Sequence, residues 1–183
     1  DFYASGMDEA AIEAAGLTPL QPWLDEIAAV KSPAEVLRTI GRLQALDVDV
    51  AFRFRVQIDD KNTAAMIAGF QQGGLGLPER DYYFRPDATT TETRRAYVAH
   101  VARILELAGD APVAAAASAE AIMALETKLA KASRTLVERR DPEKNYHKFA
   151  RTALPQITTE FGWESLFTAW NFPATEQTVL VRQ

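Results

Sequence analysis

Cysteine is absent from this chain, and histidine occurs only twice, at His100 and His147, among 183 residues. No disulfide can staple the fold and no thiolate can act as nucleophile or ligand, so thiols carry no information about compartment. Basic charge is also in short supply. A net charge of -5 and an isoelectric point near 5.1 leave no basic stripe to displace counterions from phosphates, which excludes a nucleic-acid surface. Long apolar runs are missing too. None approaches the roughly 20 residues that a bilayer-spanning helix requires, so no membrane insertion is expected within this segment. There is no low-complexity linker, no internal repeat at solenoid periods and no Gly-x-Ser-x-Gly elbow to expose a serine nucleophile.

What remains is ordinary for a soluble globular chain, with 48% hydrophobic and 25% charged residues over about one domain length. The pattern is mainly helical. Residues Asp1 to Ala15 read as the end of a helix stopped at Gly16. Leu20, Trp23, Leu24, Ile27 and Val30 form a second amphipathic stretch. Ser32-Pro33-Ala34-Glu35 opens a third helix with a serine cap, a proline in the first turn and a glutamate closing a capping box, and its apolar stripe is Val36, Leu37, Ile40, Leu43 and Leu46. Phe52, Phe54, Val56 and Ile58 alternate with Arg53, Arg55 and Gln57, the period of a strand with one buried face. In Thr63 to Gln72, local propensity allows either a helix start or a returning strand.

Two long helices follow. Thr93 to Ala108 places Tyr97, Val101, Ile104, Leu105 and Ala108 on one face, and Pro112 to about Val137 repeats Ile122, Leu125, Leu129, Ala132 and Leu136, so the two should pack as an antiparallel pair. A short helix is expected from Asp141-Pro142-Glu143, another from Trp163 to Trp170, and a terminal strand at Val179-Leu180-Val181. The fold class expected is mainly α, a single multi-helix domain over residues 1–183 with a small antiparallel β-hairpin or sheet.

The stretch around which these elements are organised is Gly73-Gly74-Leu75-Gly76-Leu77-Pro78-Glu79-Arg80-Asp81-Tyr82-Tyr83-Phe84. Its glycines reach backbone angles closed to other residues, and Pro78 holds Leu77 extended, so a sharp corner is expected. Glu79 and Asp81 suit the positive end of a helix, and the aromatics call for burial or hydroxyl partners. No Lys-Ser or Lys-Thr follows the glycines, which argues against a phosphate cradle. Arg80-Asp81 reads as an internal ion pair or cap. The basic pairs Arg94-Arg95 and Arg139-Arg140 could hold an acidic peptide, although such pairs are more often solvated or salt-bridged.

Gly-Leu-Gly-Leu-Pro-x-Arg-Asp-Tyr-Tyr, at Gly74 to Tyr83, resembles a signature in the N-terminal half of the neprilysin family of zinc metallopeptidases. Asp59-Asp60-Lys61-Asn62 resembles the turn placed before that signature, and Glu138-Arg139-Arg140-Asp141-Pro142 with Tyr146 resembles a segment placed after it. Phe2-Tyr3-Ala4-Ser5, Met7-Asp8 and Ile12-Glu13 also fit, so the resemblance covers most of the chain and is nearest to bacterial members. It implies a hairpin for Thr63 to Gln72. It further implies that Gly74, Leu75, Gly76, Leu77, Pro78, Arg80, Asp81, Tyr82 and Tyr83 are a structural signature, and that the chain is a piece of the helical, non-catalytic lobe that encloses a cavity and restricts substrate size.

The zinc chemistry of that family needs an H-E-x-x-H pair of histidines, and neither His100 nor His147 lies in one. His147 stands where the family often has asparagine. No catalytic, metal or cofactor residue is therefore assigned here. The implied parent is a zinc metalloendopeptidase, periplasmic or extracellular, whose partners are peptide substrates and the catalytic lobe of the same polypeptide, while the fragment alone is expected to be inactive. The alternative is a stand-alone helical module that binds a protein partner without catalysis.

Overall fold

The computed structural model describes residues 2–158 and 161–182; Asp1 and Gln183, the outermost residues of the expected domain, lie outside them. Helices dominate, as the sequence pattern requires. The opening is two short helices rather than one, α1 (Phe2–Gly6) and α2 (Glu9–Ala15), because the Asp8 carboxylate accepts from the Ala11 amide and starts a new helix. Gly16 closes α2 at φ +50°. A 3-10 turn leads into α3 (Gln21–Ala28), and α4 (Pro33–Gln44) begins on Ser32, whose hydroxyl accepts from the Glu35 amide while the Glu35 carboxylate accepts from the Lys31 amide.

The sheet has four strands in the order β1-β2-β4-β3. β1 (Phe52–Asp59) and β2 (Asn62–Gln72) form the antiparallel hairpin that the family resemblance implies, overriding the helix propensity of Ala64, Ala65 and Ala68. β4 (Thr178–Arg182) then lies parallel to β2 and antiparallel to β3 (His147–Ala150), so the sheet is mixed and not wholly antiparallel. The helix expected from Asp141 does not form. Residues 142–145 are a turn that delivers the chain into β3, with the Asn145 amide group donating to the carbonyls of Glu138 and Asp141.

One face of the sheet carries the core. Ala68, Phe70 and Val179 are buried there against Leu154 of α7 (Leu154–Ile157) and Phe167 of α8 (Trp163–Ala169), and Phe54 stacks on Trp170 with ring centroids 3.9 Å apart. α4 packs against α8. The alternation in β1 is covered only at one end: Phe52 and Phe54 lie under these aromatics, whereas Val56 and Ile58 extend beyond them and are exposed.

The long pair, α5 (Ala88–Leu107) and α6 (Pro112–Ala132), packs side by side as expected, joined by residues 108–111. Its buried residues differ from those the periodicity selects. α6 buries Ala115, Ala119 and Ala130, while Leu125 is exposed, and Ile104 of α5 is exposed as well. Small side chains let the helices approach closely, so the larger apolar residues are displaced to the flanks.

Candidate functional site

The corner from Gly73 to Tyr83 leaves β2 and lands on α6. Gly74 turns at φ +72°, and a Cβ there would stand 2.7 Å from the Cα and carbonyl oxygen of Ala51, so both conformation and contact demand glycine. Gly76 is constrained differently. Its φ is not positive, and what excludes a side chain is the Tyr97 hydroxyl, 1.9 Å from where a Cβ would sit. Pro78 and Glu79 then start a 3-10 turn over Arg80–Tyr83, with the Glu79 carboxylate accepting from the Asp81 amide.

Beneath the corner lies a carboxylate that the hydrophobic periodicity passes over. Glu126 of α6 accepts from the Tyr83 hydroxyl at 2.5 Å, the Tyr97 hydroxyl at 2.7 Å and the Gly76 amide at 3.2 Å. The Tyr83 oxygen in turn accepts from the Leu77 amide at 3.1 Å, so the corner's backbone is tied through one phenol to one carboxylate. Burial first, and then donation to Glu126, pushes Tyr97 up to about 12 and raises Tyr83 in the same direction. Leu77, Tyr83 and Ala130 are buried together, with Leu75, Tyr82, Tyr97 and Met123 packed around them. The available signal for Glu126 was its helical register with Ala115, Ala119 and Ala130, a face of small residues interrupted by an acid.

Arg80 pairs with Asp81 at 3.1 Å and donates to the Ala130 carbonyl. Of the two basic pairs, Arg94 is committed to the carbonyls of Tyr82 and Arg85 and Arg95 to Glu92, so the first pair is structural. The Arg139 guanidinium has no hydrogen bond or ion pair among the described residues. His100 is exposed on α5 and His147 contacts the Lys144 carbonyl, and the two are not brought together with other ligands. Among the described residues no group of three or more His, Cys, Asp or Glu side chains could hold a metal ion.

The two segments flanking the corner in sequence also meet. Asp59, 1% exposed, accepts from Lys148 Nζ and the Tyr146 hydroxyl, each at 2.8 Å, and from the Lys61 amide. Hydrogen bonding to Lys148, then to the Lys61 amide and Tyr146, lowers its pKa to about 2. Lys61 lies over the Tyr146 ring and pairs with Glu143, so the Asp59–Asn62 turn and the Glu138–Tyr146 segment are clasped across the sheet edge.

Two cavities open beside the corner. One, of about 350 Å³, lies between the glycines and the end of α6 and is lined by arginines; the other, of about 560 Å³, is apolar and runs between α4 and the Ile122, Leu125 and Leu129 flank of α6.

A mainly helical fold with a small mixed sheet thus surrounds the glycine corner whose sequence resembles the neprilysin-family signature, and that corner is seated on the half-buried carboxylate of Glu126. Comparison with known proteins agrees: the model for the N-terminal part of peptidase family M13 matches residues 1–183, and the chain belongs to that family. Its fold is similar to Mycobacterium tuberculosis zinc metalloprotease Zmp1 in complex with an inhibitor, with a TM-score of 0.92 and 34% identity, covering 99% of this chain and 28% of that one. It is 29% identical to rat endothelin-converting enzyme-like 1 over 178 residues, 90% of this chain and 23% of that protein. Drosophila melanogaster neprilysin-3 is 28% identical over 116 residues. The chain thus spans about a quarter of the length of the first two relatives. No helix among the described residues is long and apolar enough to cross a membrane.

Proposed function

We propose that residues 1–183 are a single domain forming part of the helical lobe of a neprilysin-like zinc metalloendopeptidase, and that this lobe encloses the cavity in which peptides are cut. The observation that carries the reading is the family match along the whole chain together with the near-complete superposition on a zinc metalloprotease. The described residues do not fit a zinc site, so in this reading zinc and the groups that activate water are supplied by polypeptide outside them. The contribution of this lobe is steric. Enclosure excludes water and rejects any substrate too large to enter, so short peptides are cleaved and folded proteins are not. The fragment by itself is inactive. A periplasmic or extracellular site of action accompanies the reading, and the stand-alone interaction module has no specific observation in its favour.

The test is to express the longer gene product and present it with a short peptide, the same peptide embedded in a folded protein, and a chelator. Cleavage of the free peptide only, abolished by the chelator and restored by zinc, is expected. Cleavage of the folded protein at a comparable rate would remove the size-filter role, and a parent lacking an H-E-x-x-H would remove the peptidase.

A further inference from the structure

β1 is one edge of the sheet, and at eight residues it is the longer edge, against four in β3. Phe52 fixes which of its residues point outward. The Phe52 amide donates to the Val50 carbonyl and its carbonyl accepts from Gln44 Nε2, both away from β2. In a strand the N–H and C=O of one residue lie on the same side and the sides alternate, so Phe54, Val56 and Ile58 also turn theirs outward. None of these groups has a hydrogen-bond partner among the described residues. The side chains of the same residues lie on the core face of the sheet, but the outer ones reach beyond the helices. Val56 is 60% exposed, Ile58 55%, and Met66, opposite Ile58 in β2, 59%. Proteins usually blunt such an edge with proline, an inward-pointing charge or a covering loop, and none of these protects residues 54 to 58 here.

We propose that this edge pairs with itself in a second copy of the chain, β1 antiparallel to β1 about a two-fold axis at Val56, joining the two four-stranded sheets into one. Charge and hydrogen-bonding capacity select the register. With Val56 opposite the partner's Val56, Phe54 falls opposite the partner's Ile58 and Ile58 opposite the partner's Phe54, so all three free residues exchange paired hydrogen bonds. On the other face, Arg55 meets the partner's Gln57 and Arg53 the partner's Asp59, so no two arginines are opposed. Moving the axis back to Arg55 would set the two Arg55 guanidinium groups against each other. It would also bring Ile58 onto the partner's Phe52, whose amide and carbonyl are already engaged. Moving it forward to Gln57 would leave Phe54 opposite the partner's Asp60, past the end of the strand. Like charges directly opposed destabilise a strand pair, whereas β-branched and aromatic pairs support it. Association buries the exposed Val56 and Ile58 together with the free edge.

The experiment uses the full-length product. Sedimentation velocity over a concentration series should show its mass rising from monomer toward dimer. V56K sets two ammonium groups face to face at the axis and should stay monomeric, with circular dichroism unchanged because Val56 is exposed. Under mild oxidation V56C should link two copies through a disulfide, since directly opposed residues of paired strands lie within disulfide reach. Q57C, two residues out of register with its own copy, should not. The unsubstituted protein under the same oxidant is the control for any cysteine outside residues 1–183, which contain none. A monomer at every concentration, a dimer that V56K leaves intact, or linkage at position 57 equal to or above that at 56 would overturn the pairing. Slow amide exchange at Phe54, Val56 and Ile58 in a strictly monomeric product would assign the edge to other polypeptide of the same product, and so refute self-pairing as well. No readout depends on peptide cleavage, so the result stands or falls separately from the peptidase reading.

Discussion

At the scale of single residues, the corner depends on hydroxyl and carboxylate positions more than on the glycine dihedrals its sequence advertises. Gly76 is required because Tyr97 occupies the space a Cβ would need, so Gly76→Val must push that phenol off Glu126. The expected cost is about 1–3 kcal/mol, the range for overpacking, read as a lowered thermal midpoint. In the double variant with Tyr97→Phe the penalty from Gly76→Val should persist, since the ring as well as the hydroxyl lies in the way. Tyr83→Phe keeps the ring and deletes the oxygen that joins the Leu77 amide to Glu126, leaving a buried amide unpaired at about 1–3 kcal/mol. Both tyrosines are raised above their ordinary value of 10.0, so the stability they contribute is complete below pH 10 and declines as pH rises toward about 12. An ultraviolet titration showing tyrosinate at Tyr97 with an ordinary midpoint would contradict this. Asp59 has the opposite sign. Its value falls from 3.8 to about 2 on folding, so its contribution is complete above about pH 4 and is lost as pH falls toward 2, and Asp59→Asn should flatten the acid limb of the stability curve.

Among the elements, α4 and α8 approach each other closely, and a Cβ on Gly41 would stand 2.7 Å from that of Ala169. Gly41→Val should therefore part the two helices and loosen the aromatic cluster around Trp170, visible as lost near-ultraviolet dichroism while far-ultraviolet helicity persists. Unchanged aromatic dichroism would mean that α8 does not depend on α4 for its position. Helix positions were legible in the sequence where caps are local, as at Ser32 and Gly16, but the start of the first long helix was not: periodicity placed it at Thr93, whereas the Asp87 cap begins it at Ala88. Strand partners were not. The pairing of β4 alongside β2 in parallel joins segments more than a hundred residues apart, and nothing near Val179 states which edge it will meet. The face of α6 was misread for a related reason, since leucine periodicity marks an apolar flank without saying whether a neighbour is close enough to require alanine instead.

For the whole molecule, Leu125 on the apolar flank of α6, Val56 and Ile58 in the outer half of β1, and Phe2, Tyr3 and Ile12 of α1 and α2 remain exposed. Residues 1–183 alone should therefore bind a hydrophobic dye strongly, and the full-length family member should bind far less per molecule if further polypeptide covers these faces. Equal dye binding by the two would show that these surfaces stay open in the longer protein. The sequence by itself determined the family, the mainly helical class and the place of the corner, because these are written in contiguous motifs and local periodicity. It also determined that an H-E-x-x-H is lacking. Only the tertiary structure decided that Asp59 clasps Tyr146 and Lys148, that Glu126 seats the corner, and that Arg139 rather than Arg94 is left with an unused guanidinium. Each of those depends on side chains brought together from distant segments, and a charged residue looks the same in sequence whether its partner is at hand or absent.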